Sequence, residues 1–201
     1  ARRNLIEHFG LNSTTNLNTL IPAMTSEAGT AKPEQDYNSY LAVGSVILNR
    51  VIGRNLKKAA QSVAKGVDLN QIKPYSVRDT VFEQGQFEIT WRKYPGQNIT
   101  FYDNQAALYK SFKQGKLKED GNNHTAFTLA YEVANDLIDG MNRLSGEVDG
   151  SIQKGIGRST ADLFYFNQSR SHDYSKTATQ ESAVKLIDKN NTHVFFKAWD
   201  N

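Results

Sequence analysis

The order of elements along the chain predicts an α+β fold, mainly helical, with a small antiparallel sheet formed late. Three observations lead there. The run from Tyr40 to Val51 is apolar nearly all round, as a buried central helix must be. Behind Thr125, the residues Phe127, Ala130, Ala134, Leu137 and Ile138 recur at helical spacing, and Gly140 supplies a stop. Two aromatic-rich, strand-like runs, Leu163 to Asn167 and Thr192 to Trp199, come only after both helices.

Taken in order, residues 1–18 read as a polar lead, with Asn12-Ser13-Thr14-Thr15-Asn16 as loop chemistry, and residues 19–201 as one domain. Leu20 to Gly29 predicts a short apolar helix, with Pro22 near its start and Gly29 as a left-handed cap. Leu20, Met24 and Glu27 fall at i, i+4 and i+7, so Glu27 leaves from the apolar face. Gly44, inside the central helix, costs roughly 1 kcal/mol against alanine and so points to a neighbour packed closely there. Asn49 and Arg50 are that helix's polar exceptions. Asn55 to Lys65 predicts a basic surface helix, and Ser76-Val77-Arg78-Asp79 a capping box opening a short helix.

Gln86-Phe87-Glu88 follows the stop at Gly85, and Tyr94 to Asp103 reads as an irregular excursion. Asn104 is placed to cap a helix through Phe112. Met141 to Ser159, rich in glycine, reads as a long connection. Thr179 is placed to cap a short helix through Ile187. No internal repeat is present.

Composition excludes several classes of function. The chain has 201 residues, enough for one sizeable core. Its 24 basic and 21 acidic residues leave a net charge of +3, with no basic run interleaved with aromatics, so nucleic acid is not an expected partner. The absence of cysteine rules out disulfides and thiolate metal sites. No apolar run reaches the length of a membrane span. The opening Ala1-Arg2-Arg3-Asn4 has no apolar region behind it and is not read as a signal peptide. A mature form, an excised domain and export by another route all fit. His8, His124 and His172 lack the spacing of a zinc site, and no cofactor or metal is expected.

Chemistry centres on Glu27. Burial and the negative end of a helix both disfavour its charged form and raise its pKa, as a general acid near neutrality requires. A solvated glutamate at a frayed helix end is the competing reading of this stretch alone. Glycosidic cleavage needs such an acid and commonly a second carboxylate. Glu88 is the candidate for that second group, unless its strand position turns it to solvent. Gln86 and Asn167 are candidates for amide-directed hydrogen bonds, and Tyr102 and Tyr165 for stacking on sugar rings, against core packing for each tyrosine. His193, on the closing strand, is weighed between a structural and a site role.

Four pieces in sequence carry a family resemblance. They are Thr25-Ser26-Glu27-Ala28-Gly29, then Val46-Ile47-Leu48-Asn49-Arg50-Val51, then Gln86-Phe87, and last Leu163-Phe164-Tyr165-Phe166-Asn167 with Thr192-His193-Val194-Phe195-Phe196. Together, over roughly residues 17–199, the set resembles the SleB/CwlJ-type cell wall hydrolases of spore cortex, phage and bacterial envelopes.

The resemblance implies a lysozyme-like domain and a peptidoglycan lytic transglycosylase with Glu27 as its essential acid. Gln86, Phe87, Tyr102, Tyr165, Asn167 and His193 then become the expected substrate-binding set. Peptidoglycan strands, and other virion or envelope proteins, are the implied partners, and the cell envelope, a spore or a phage virion the implied location. A strict hydrolase using a second carboxylate and a catalytically silent wall-binding or virion structural module remain as alternatives. The chain departs from the family's pattern in a longer stretch after Phe87, a longer Met141–Ser159 connection, and Ala161-Asp162 before the tyrosine strand.

Overall fold

A computed structural model describes residues 1–30, 37–168, 183–184 and 193–197. Among the described residues six α-helices come first: α1 (Arg2–His8), α2 (Thr14–Ala28), α3 (Tyr37–Ala64), α4 (Val77–Val81), α5 (Phe101–Lys113) and α6 (Asn122–Ile138). The short strands described after them are β1 (Gly146–Val148), β2 (Ser151–Gln153), β3 (Leu163–Gln168), β4 (Ala183–Val184) and β5 (His193–Lys197). β1 and β2 form a hairpin, while β3, β5 and β4 form an antiparallel sheet in that order. The α+β class stands. Among the described residues no helix is long and apolar enough to cross a membrane.

α3 is the centre of the core and packs on α2, α6 and β3. It runs unbroken through the two helices expected from the sequence, with Tyr40, Leu41, Val43, Val46, Ile47, Leu48 and Val51 fully buried. Asn49 is buried too. Its Nδ2 donates to the carbonyls of Thr160 (3.0 Å) and Leu163 (2.7 Å), and its Oδ1 accepts from Arg2 Nη1. Ser45 Oγ, one turn earlier, donates to Thr160 Oγ1 at 2.8 Å. These bonds satisfy polar groups that burial would otherwise leave costly, and they fix where β3 begins against α3.

A Cβ added at Gly44 would lie 2.4 Å from Leu137 Cδ1 and 3.1 Å from Met24 Sδ, where α6 and α2 close on α3. Both neighbours are fully buried and have little room to withdraw. Gly44→Ala therefore gains about 1 kcal/mol of helix propensity and loses about 1–3 kcal/mol to overpacking. We expect net destabilisation, read as a lower urea midpoint with unchanged slope. An alanine variant as stable as the parent would contradict this close approach.

Several local expectations are corrected. The polar lead is part of the core: Ile6 and Leu11 are fully buried, and α1 is too short for its pattern to show as periodicity. Ser13 caps α2 through Asn16 N, so this helix begins well before Leu20. Pro22 consequently lies inside the helix, and its carbonyl accepts from Thr25 Oγ1 (3.2 Å) and Ser26 Oγ (2.6 Å). Gly29 closes α2 with φ +85°, which favours glycine, but its ψ of 177° is extended rather than left-handed helical.

The capping box at Ser76 and Asp79 is present. α5 is capped by Thr100 instead of Asn104. The Met141–Ser159 connection holds the β1–β2 hairpin, turned on Asp149-Gly150 with both φ values positive, a hairpin signal that the glycine content obscured. Ala183–Val184 is strand β4, not helix; the rest of the expected Thr179–Ile187 helix lies outside the described residues.

Candidate functional site

Glu27 occupies the last turn of α2 and is partly exposed. Burial of its carboxyl, reinforced by the like charge of Glu88 and opposed by Arg50, pushes its pKa up to about 7. The named causes locate the site. Glu88 opens a 3-10 turn (Glu88–Thr90) that packs on α2, and Arg50 projects from α3.

Arg50 ties the parts together. Its Nε donates to the Phe164 carbonyl of β3 at 2.5 Å, and its Nη1 to Gln86 Oε1 at 3.3 Å. The guanidinium lies 4.7 Å from the centroid of the Phe87 ring, a cation–π contact. One side chain thus joins the central helix, the first strand of the late sheet and the loop after Gly85, while its charge acts on Glu27. Gly85, at φ +78°, makes the turn that delivers Gln86 and Phe87 to it. Glu88, exposed, pairs with Arg92 at 3.1 Å.

The expected site residues separate into four groups. Glu27 and Gln86 both lie near Arg50, which acts on the first through its charge and donates to the second. Phe87 is only 3% exposed; its ring underlies Arg50 and leans on Phe166, so it forms the floor of the site and offers no open face to a ligand. Tyr102 is corrected: it is 5% exposed, set edge-on to Phe82 at 4.9 Å, and its hydroxyl meets the Thr19 side chain in the core. Its place one residue into α5 turns it inward. The backbones of Tyr165, Asn167 and His193 are placed by the register of the sheet, where Tyr165 pairs with Phe196, Asn167 with Val194 and Gln168 with His193. The side chains of these three lie outside the described residues.

No family model, curated protein or solved structure matches this chain. The site is therefore judged on its own chemistry.

Arg50 was legible only as a polar exception in an apolar helix; its role appears with its partners. The excursion after Glu88 is pinned rather than loose. Lys93 bridges Thr100, Phe101 N donates to the Arg92 carbonyl at 3.0 Å, and the Tyr94 and Phe101 rings meet edge-on at 4.4 Å. Just before the excursion, three residues beyond Glu88, Trp91 is 60% exposed. An indole so exposed has an open face suited to stacking on an apolar sugar face, and sequence alone gave no means to separate it from core aromatics.

Chemically, the arrangement offers a carboxyl whose pKa is pushed up to about 7, so that a substantial fraction stays protonated near neutrality, a second carboxylate close enough for their charges to interact, and a cation whose charge opposes the shift. This is equipment for proton donation to a leaving oxygen. No group of three or more His, Asp or Glu side chains suited to a metal converges among the described residues.

Proposed function

We propose that this chain is a peptidoglycan-cleaving glycosidase with a lysozyme-like fold, acting as a lytic transglycosylase at the cell envelope, in a spore or from a phage virion. The observation that carries the reading is the raised pKa of Glu27, produced by burial and by Glu88. Protonated Glu27 donates its proton to the glycosidic oxygen as the bond from that oxygen to the anomeric carbon breaks. The leaving chain departs as an alcohol, and positive charge develops on the sugar. Glu27, now a carboxylate, takes the proton from the 6-hydroxyl of the same sugar as that oxygen closes on the anomeric carbon. The proton returns to Glu27 and no water is consumed.

Glu88 favours a second reading. A carboxylate whose charge reaches Glu27 could direct a water or attack the anomeric carbon, giving a strict hydrolase. Mass spectrometry of digested peptidoglycan separates the two, because 1,6-anhydro ends are lighter than reducing ends by one water. We expect anhydro ends, with the cut retained in Glu88→Gln. Reducing ends, together with loss of cleavage in Glu88→Gln, would replace the transglycosylase by the hydrolase. A wall preparation left uncut under all conditions would leave only the silent binding or virion module.

A further inference from the structure

Resting on the glycan-cleaving role proposed for Glu27, we infer that a basic groove on α3 receives a carboxylate of the peptide carried by the glycan. Peptide-bearing strands are then the preferred substrate. The groove is a cavity of about 250 Å³ that includes Arg50, Arg54, Lys57, Glu83, Gln86 and Phe164 in its lining. Arg50 and Gln86 belong equally to the Glu27 site, so the groove begins where that site ends.

The three cations recur at i, i+4 and i+7 and share one face of α3. Two are held in place. Arg50 is fixed by the Phe164 carbonyl and Gln86. Arg54 Nη1 donates to the Asp79 carbonyl (3.1 Å) and Thr80 Oγ1 (3.0 Å), and its guanidinium lies 4.1 Å from the centroid of the Tyr75 ring. Lys57 is exposed, and among the described residues none accepts a hydrogen bond from its ammonium.

Among the described residues that line the cavity, Glu83, 3.7 Å from Arg54, is the one acidic residue against three cations. A solvated lysine alone would be unremarkable on a helix surface. Here it stands at a formed cavity, beside two guanidiniums whose geometry is already set.

The volume suits a carboxylate on a few carbons, not a folded partner. Phe164 adds an apolar surface for the carbons, and the ammonium gives a charge-assisted hydrogen bond to the oxygens. Cleavable peptidoglycan carries such groups along its peptides, at some distance from the sugars, whereas a peptide-free strand offers only the short lactyl carboxylate held against each muramic sugar. A phosphate polymer is the less suitable ligand, since three cations interrupted by Glu83 form no continuous track.

The test is calorimetric titration of the unmodified chain with an N-acetylmuramyl tetrapeptide, free and with its carboxylates amidated. This probe has one sugar and no glycosidic bond to cut, so its binding does not depend on what Glu27 does. We expect the free acid to bind about tenfold more tightly at low ionic strength, the worth of one good charge-assisted contact. Lys57→Glu, at an exposed position, should abolish that preference. Equal binding of the two forms, a preference that survives Lys57→Glu, or tighter binding of a single-stranded oligonucleotide would each overturn the assignment. If the preference is present and peptidoglycan is nevertheless not cut, the failure lies with the catalytic reading of Glu27 and not with the groove.

Discussion

On the proposed function, Glu27→Gln is expected to lower peptidoglycan cleavage by roughly a thousandfold, the usual worth of a positioned general acid, while the chain stays folded. The amide has the shape of the protonated carboxyl but no proton to give. Rate and stability should respond to pH in a linked way. The cleavage rate expected of the parent should fall as pH rises through about 7, where Glu27 loses its proton.

Stability follows the same group. Between the unperturbed value of 4.5 and about 7, the folded chain retains a proton that the unfolded chain has released, so stability declines as pH rises through this window. Glutamine carries no such proton. The two proteins should be equally stable near pH 4, and the glutamine variant the more stable one at pH 8. The gap is at most about 3 kcal/mol, reduced by the solvent that reaches a partly exposed carboxyl. Thermal melts across pH measure the second effect and dye-release from labelled walls the first. Near-parental cleavage by Glu27→Gln would move the acid to another residue.

Asn49→Ala should be the most damaging of the structural changes. It removes both donations from Nδ2, leaving the carbonyls of Thr160 and Leu163 buried at the α3–β3 junction, and it takes the acceptor from Arg2 Nη1. Unsatisfied buried groups cost about 1–3 kcal/mol each, so we expect a loss of about 3 kcal/mol and a melting temperature lower by roughly 10 °C. Asn49→Asp keeps an acceptor for Arg2 yet cannot donate when ionised, and it should be destabilised as well. A loss below about 1 kcal/mol in Asn49→Ala would mean that water replaces these bonds and that β3 is not anchored as described.

The residues differ in how far their roles could be read in advance. Glu27 at the end of an apolar helix, the capping box at Ser76 and Asp79, the close approach at Gly44 and the late strands were all legible. Each is written in a short window through helical period, cap chemistry or strand composition. The lead before Leu20 was misread because Ile6 and Leu11 bury themselves against elements far along the chain, which no local pattern announces. Tyr102 and Phe87 looked like sugar contacts because an aromatic's type says nothing about which way it faces. In the fold both are buried.

By itself, then, the sequence determined the helical core, the α+β class and a single carboxylate carried to a helix end. Only the tertiary structure decided that Glu88 would lie close enough for its charge to act on Glu27, and that Arg50 would join Gln86, Phe87 and Phe164 around it. Periodicity and caps are local and recur within a few residues. A pKa and a binding surface depend instead on distances between side chains far apart in the chain, and those distances exist only once the helices have packed.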